Sequence, residues 1–577
     1  MTEDINKDQI QLSARDQNVG VIAEMTTEQV INAVAARPSW KMALLWIGLM
    51  SFMATASNGS YYPAFGGYLP YKQWKCISTS DTCVTRKGST LLEDMAQEDA
   101  IDILCGKDKE EPLQEGTDFL WDVDGRSTFS IDWDLHCGRY WLFTLTGSVG
   151  YFGHLVGSLC GNLYDVFGRK YGALIGCLVL FVNNFVLLAS PSVEFFLVFR
   201  FIWGMALMCA MDGIFVFMLE FTPSTWRTFA NGGYQFFWAV GYIISPLAGY
   251  YVTSWKWLLV LNSCLVIPPT VCVLIMPDSP GFYLVNRKDE TSAKESLKWL
   301  GWINNSNFNI DNVNLREEGI VTEKRSFLET LQDFVTYPEM ALQTAIQSFM
   351  WLVVGFLYYG FTFTWGNFSD GNYYLSYLYP ALAEAVAYVL MTFPLTYIGR
   401  KLTLSSFYCI ASASFLFALI PSTIPGFISV EQLSCLVGST FVSAAFGGVY
   451  IYTAELAPTS HRGKIMGICH MGSQIGAVCG PQASLLITEW SKPGTLILFA
   501  VLAGLAGLFC MRLPDSKGVS VPDTAQEVHA RKHGKKKMPE GSKVYANNNC
   551  NSNHVNNNSN YDNNNCSSPQ FSAENTV

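Results

Sequence analysis

Glu220-Phe-Thr-Pro223-Ser-Thr-Trp-Arg227 occurs again, with the same internal spacing, as Glu455-Leu-Ala-Pro458-Thr-Ser-His-Arg462. Two flanking stretches repeat with it, in the same order. Gly161-Asn-Leu-Tyr-Asp165-Val-Phe-Gly168-Arg169-Lys170 precedes the first copy, and Tyr397-Ile-Gly399-Arg400-Lys401 precedes the second. Met276-Pro-Asp-Ser279 follows the first, and Leu513-Pro-Asp-Ser516 follows the second. The separation is roughly 230 to 240 residues each time. That is far longer than a solenoid repeat, so the chain consists of two homologous halves, each several elements long. Duplicated halves in a membrane protein imply alternating access around a central site.

Composition places both halves in a membrane. Of 577 residues, 50% are hydrophobic and only 15% charged, and mean hydropathy is positive. A helix needs about 20 apolar residues to cross the hydrocarbon. Twelve such stretches are present, near 42–62, 140–163, 171–189, 194–219, 230–252, 256–276, 341–364, 374–397, 402–421, 432–455, 464–487 and 494–512. The expected fold is all-α: a polytopic membrane protein of twelve transmembrane helices in two six-helix pseudo-repeats. The expected divisions are an N-terminal segment at 1–40, a first half at 41–284 containing a long loop at 63–139, a loop with short helices at 285–340, a second half at 341–525, and a disordered tail at 526–577.

Arg169, Lys170, Arg227, Arg400, Lys401, Arg462 and Lys464 fall on one side of the spans, with the 285–340 loop and both termini. The positive-inside rule makes that side cytoplasmic, in a plasma-membrane protein with both termini inside. The first forty residues carry no apolar run, so no cleaved signal peptide is expected and the first span serves as anchor. A net charge of −10 spread over loops gives no footprint for nucleic acid. The basic cluster Lys532–Lys537 is a solvated run that could touch anionic lipid, and 547–565 is mostly Asn.

Cys76, Cys83, Cys105 and Cys137 lie in the 63–139 loop, on the oxidising side. An even number there predicts two disulfides with three connectivities open, and no C-x-x-C spacing supports zinc instead. The same loop is a place where two copies of the chain could associate.

The repeated motifs read as a gate. Gly161 and Gly168 allow helix ends to approach, and Asp165 can accept from Arg169 or from a helix N-terminus, whose dipole favours an anion. Glu220 and Arg227 flank Pro223 and can exchange ion-pair partners as one side opens; Arg400, Glu455 and Arg462 stand in the same places in the second half. At mid-membrane an ionisable group is costly and is functional by default. Glu384 lies near the middle of the eighth span, and Asp212 lies eight residues, about 12 Å, from Glu220 in the fourth. Arg200 in the same span could neutralise an acid. Aromatic faces attract organic cations, which singles out Tyr234 and Trp238, beside Gln235, in span five and Tyr358 and Tyr359 in span seven. His154 and His470 are expected to be packing histidines, His470 standing one turn from Gln474.

The gate motifs, the cysteine-bearing loop, Asp132-Trp-Asp134-Leu-x-Cys137, Pro277-Asp-Ser-Pro280, and Leu513-Pro-Asp-Ser-Lys-Gly518 followed by Pro522-Asp-Thr524 resemble the organic cation/anion transporter family of the major facilitator superfamily over residues 40 to 525. The resemblance implies the major facilitator fold, a cavity-lining acid at Glu384, and cavity positions at Tyr234, Gln235 and Tyr358. Gln474 falls where the family's cation carriers are acidic and many anion carriers basic, and Gly447 also replaces an acid of the cation carriers. A neutral amide both donates and accepts, which suits neutral, zwitterionic or weakly charged substrates. Val166 and Thr396 depart from the family's gate pattern, so the second network is expected to be weaker than the first.

The function expected is a secondary-active or facilitative carrier of small organic ions, cations or zwitterions favoured. An anion carrier, a sugar or polyol porter, or a receptor or scaffold on a transporter fold are the alternatives. Nothing resembles a Gly-x-x-x-x-Gly-Lys-Ser/Thr phosphate loop, no nucleophile–base pair lies in the spans, and no metal or cofactor is expected. The partners expected are substrate and membrane lipid.

Overall fold

The computed structural model describes residues 23–68, 74–76, 103–105, 119–121, 126–159, 168–316, 327–368, 373–420, 429–458, 461–516, 522 and 525–532. Among the described residues, twelve helices reach eighteen residues or more. In the first half these are α1 (Trp40–Gly66), α2 (Tyr140–Leu159), α3 (Arg169–Leu188), α4 (Val193–Glu220), α5 (Arg227–Tyr251) and α6 (Trp255–Ile275). In the second they are α7 (Pro338–Phe368), α8 (Leu378–Tyr397), α9 (Arg400–Phe417), α10 (Val430–Leu456), α11 (Arg462–Trp490) and α12 (Lys492–Cys510). Each agrees within a few residues with an apolar stretch of the sequence.

Eight of the helices are long and apolar enough to cross a membrane by length and composition alone. The other four, α2, α5, α9 and α11, are diluted by Gly, Ser, Tyr or terminal charges. Three of these lie between the halves: α2 runs along α11, and α5 along α8. A helix face turned to another helix or to a cavity does not need the apolarity that lipid demands.

Close packing inside each half depends on glycine. A Cβ on Gly241 of α5 would stand 2.3 Å from the Ala54 carbonyl of α1, and one on Gly476 of α11 would stand 2.2 Å from that of Leu352 in α7. Gly241 and Gly476 are separated by the same number of residues as Glu220 and Glu455, so the duplication preserves the helix crossing as well as the motifs. In the first half, Gly204 adds a contact of the same kind between α4 and the Gly150 carbonyl of α2.

The described part of the N-terminal segment packs against the loop between the halves. Ala23–Thr26 pairs in parallel with Val313–Arg316 of the loop between the halves. Thr26 then caps the helix Thr27–Val34 through a capping box with Gln29. The Ser39 hydroxyl donates to the Ile303 carbonyl at 2.7 Å, and the Ser39 backbone amide donates to Asn304 Oδ1 at 2.9 Å. The surface helix expected over Asp289–Leu300 is present as Glu290–Asn304, capped by Asp289.

At the opposite end of the bundle, Asp132 of the Asp-Trp-Asp run accepts the Trp255 indole N–H at 2.7 Å, and Arg126 donates to the Gly249 carbonyl at 2.6 Å. Both contacts fasten the 126–139 segment over the α5–α6 turn. Cys105 is bonded to Cys137, one of the open pairings. Cys76 ends the strand Trp74–Cys76, and Cys83 lies outside the described residues. The expected tail begins later than residue 526, because Ala525–Lys532 is helical, with Ala525 and Val528 buried and His529 Nδ1 at 2.6 Å from Glu339 Oε2. Compact packing of the main unit extends to His529. The Asn-rich stretch 547–565 lies outside the described residues.

Gly476→Leu should force α7 and α11 apart and sharply reduce the folded protein reaching the cell surface, whereas Gly232→Ala, with open space around it, should be neutral or slightly stabilising. Surface labelling and size-exclusion profiles in detergent distinguish the two.

Candidate substrate site

The three repeated motifs converge on one carboxylate in each half. Arg169, the first residue of α3, donates from Nε to Glu220 Oε1 at 3.2 Å; Arg400, the first of α9, donates from Nη2 to Glu455 Oε1 at 2.8 Å. The serine of the third motif reaches the same acid. Ser516 Oγ donates to Glu455 Oε2 at 2.6 Å, and Ser279 lies beside Glu220. Gly168 and Gly399 precede the two arginines with φ of 102° and 117°, a left-handed turn that glycine adopts without steric cost. Against the expectation of a weaker second network, the second ion pair is the shorter of the two.

Asp278 accepts the Lys170 backbone N–H at 3.2 Å and that of Ser279 at 2.8 Å. Asp278 thus occupies the start of α3, and Asp165 and Gly161 lie outside the described residues. Arg227 faces Glu28 of the N-terminal helix at 2.9 Å rather than Glu220. Arg462 opens α11 next to His461, whose Nε2 lies 2.8 Å from Asp333 Oδ2.

Between the halves a cavity of about 520 Å³ opens at the motif-bearing end. Its mouth is set by Ser158 near the end of α2, Val216 near the end of α4, Asn231 near the start of α5, and Gly463 and Lys464 at the start of α11. Asp212, Tyr234 and Gln235 form part of its wall, and the Tyr234 hydroxyl donates to the Met211 carbonyl at 2.9 Å. A second chamber of about 50 Å³ is walled by Gln235, Met211, Tyr450 and His470, which also line the cavity, and by Trp238 and Gln474. The Gln474 amide nitrogen is 3.2 Å from His470 Nε2.

Glu384 does not line either space. It is 2% exposed, and the Tyr358 hydroxyl donates to its carboxylate at 2.9 Å. That same hydroxyl accepts the Trp238 indole N–H at 2.8 Å and is hydrogen-bonded to the Tyr61 hydroxyl. Tyr61 stacks on Tyr242 at 3.9 Å. Tyr388, one turn along α8, also reaches Glu384 and lines the chamber. One phenol oxygen thus ties α1 and α5 of the first half to α7 and α8 of the second. Arg200 pairs with neither acid; it donates to the Gly59 carbonyl at 2.6 Å and lies over the Trp203 ring at 3.9 Å.

The end away from the motifs is closed. Tyr68 stacks on Tyr373 at 3.9 Å, Phe65 lies against Tyr374, and the Tyr373 hydroxyl donates to the Ala64 carbonyl at 3.0 Å. Thr144 of α2 donates to Gln482 of α11 at 2.9 Å. Among the described residues, the cavity opens at the motif-bearing end.

The family model described as sugar (and other) transporter matches residues 114–528. The chain belongs to that family. Among curated relatives, the rat protein named solute carrier family 22 member 3 is 27% identical over 70% of this chain and 72% of its own. The human organic cation/carnitine transporter 2 is 28% identical over 75% of this chain and 78% of its own. A Drosophila melanogaster protein named organic cation transporter protein is 26% identical over 71% and 75%. Among solved structures, the inward-open xylose transporter XylE of E. coli superposes with a TM-score of 0.53 at 13% identity, covering 85% of this chain and 98% of that one. The transporter therefore has the major facilitator fold, and the resemblance to the organic cation/anion branch holds along most of its length.

Sequence reading did not single out Tyr61, Tyr388 or Glu28, and it used Lys464 for sidedness alone. Tyr388 follows Glu384 by four residues, a spacing that places both on one helix face; the capping box at Thr26 marks the helix carrying Glu28. Tyr61 left no signal among aromatics making up 14% of the chain.

Tyr358→Phe removes the donor to Glu384 and the acceptor for Trp238, a loss of about 1–3 kcal/mol for buried groups left unpaired. Thermal unfolding of the purified protein should show a clear drop in Tm for Tyr358→Phe and little change for Tyr359→Phe.

Proposed function

We propose that this transporter carries small organic cations and zwitterions across the plasma membrane, with its motif-bearing end, both termini and the 285–340 loop in the cytoplasm. The observation that carries the reading is Asp212 in the wall of a cavity whose inner end is aromatic, with the charge of Glu384 held just behind Tyr358 and Tyr388. Aromatic faces and a nearby carboxylate together favour an ammonium group. The relatives named as organic cation and carnitine transporters support the same class. Asn231 and Gln235 in the wall favour a polyol as the second reading. The sidedness rests on the basic residues gathered at the motif end.

Uptake of a labelled panel of cations, zwitterions, anions and polyols into expressing cells tests the reading. Glu384→Gln should abolish cation uptake, Gln474→Asp should strengthen it, and Gln474→Arg should move preference toward organic anions. Robust anion transport by the unmodified protein, unaffected by Glu384→Gln, would overturn the reading.

In the same reading, the Glu220 and Glu455 clusters are the cytoplasmic gate. Each ion pair is about a quarter exposed or less, so Arg169→Ala or Arg400→Ala should shift the conformational balance by about 1 kcal/mol, or about fivefold. Uptake normalised to surface abundance should fall severalfold, with abundance itself largely kept.

A further inference from the structure

At the sealed end, the Arg126 guanidinium touches both halves. Toward the first half it donates to carbonyls at the close of α5, from Nη1 to Gly249 at 2.6 Å and from Nη2 to Tyr250 at 3.1 Å. A cation there satisfies the last carbonyls of the helix and complements its dipole. Toward the second half it lies over the ring of Tyr374, 4.7 Å from the centroid, and reaches the Tyr374 hydroxyl. Tyr374 belongs to the short helix Tyr373–Ser376 between α7 and α8. Its ring rests on bare backbone at Gly249, where an added Cβ would stand 2.6 Å from Tyr374 Cδ1, and it stacks on Phe65 of α1. Gly249, Phe65 and Arg126 form a socket in the first half for one ring of the second.

The Arg126 wall of this socket is fastened to the first half. Beside it, the Ser127 backbone amide donates to the Thr253 carbonyl at 2.8 Å, and the Ser127 carbonyl accepts the Trp255 amide at 3.1 Å. When the halves part, the bonds from Arg126 to α5 stay and the contact with Tyr374 is the one that breaks. We propose that Arg126 is a positioning residue of transport. Carried by the long loop between α1 and α2, it latches Tyr374 in its socket, so that the loop as well as the helices sets how often the empty carrier opens at the sealed end. This role needs alternating access alone, whatever the substrate and whichever face of the membrane the sealed end meets.

A cysteine in place of Thr362 reports opening at that end. Thr362 is 3% exposed, reaches the Tyr242 hydroxyl of α5 across the boundary between the halves, and lines neither the cavity nor the chamber. The measurement is the rate at which a methanethiosulfonate reagent labels Thr362→Cys in the purified, monodisperse full-length protein, read by mass spectrometry at that residue. In that background, Arg126→Gln should speed labelling about fivefold, the equivalent of about 1 kcal/mol. Tyr374→Leu should speed it at least as much, and adding Arg126→Gln to Tyr374→Leu should change nothing further. Arg126→Lys, which keeps a cation at the ring with fewer donors, should fall between the unmodified rate and that of Arg126→Gln. No acceleration by Arg126→Gln, or the same acceleration with and without the Tyr374 ring, would make Arg126 a cap on α5 and overturn the inference. Equal acceleration at Cys177, which is fully buried in α3, would mean general loosening and overturn it too.

Discussion

A carboxylate at the end of a long apolar helix must be paired where it stands, or the helix end cannot sit at the membrane boundary. Glu220 and Glu455 meet that constraint in the same way, each by taking an arginine from the start of the preceding helix and a serine from the segment that follows the half. Three motifs far apart in the chain are therefore one ionic cluster per half. Gly168 and Gly399 exist to aim the arginines, and the Pro-Asp-Ser runs exist to return the chain to the acid. Once each half is closed on itself, the halves meet chiefly along α2 with α11 and α5 with α8.

Those surfaces are held by a different chemistry. Tyrosine hydroxyls, an indole N–H and one carboxylate form the contact at mid-height, while stacked rings seal the end opposite the motifs. Neither requires a charge pair across the boundary. Ring stacking and single hydrogen bonds are each worth about 1 kcal/mol, so the halves can separate at one end without dissolving their own cores. The glycine-lined crossings of α1 with α5 and α7 with α11 keep those cores rigid while this happens.

The fold was legible because its signals are repeated: twelve apolar runs, two sets of motifs, and glycines at matching positions. The site was legible only in part. Asp212, Tyr234 and Gln235 line the cavity because a polar or aromatic residue on an inner helix has few other places to go. Glu384 stands out in the sequence as an acid in mid-span and was expected to line the cavity, but whether a buried acid faces a cavity or a tyrosine depends on a partner helix that sequence spacing does not fix. The Arg227 partner was missed for the same reason: Glu28 lies in a polar segment with no apolar periodicity, and its place is set by a short parallel strand pairing. The four less apolar helices carry a lesson of their own. Low hydropathy in α2, α5 and α11 marks the surfaces between the halves, where most of the polar cavity residues lie.

The aromatic seal has a thermodynamic consequence for the two faces of the membrane. Reaching the opposite orientation requires separating Tyr68 from Tyr373 and Phe65 from Tyr374 and breaking the Tyr373 bond to Ala64. At about 1 kcal/mol for each contact, the empty protein would occupy that orientation roughly once in a hundred molecules. A ligand arriving from the sealed side then binds with an apparent dissociation constant raised by the same factor, even if its contacts in the pocket are identical from either direction.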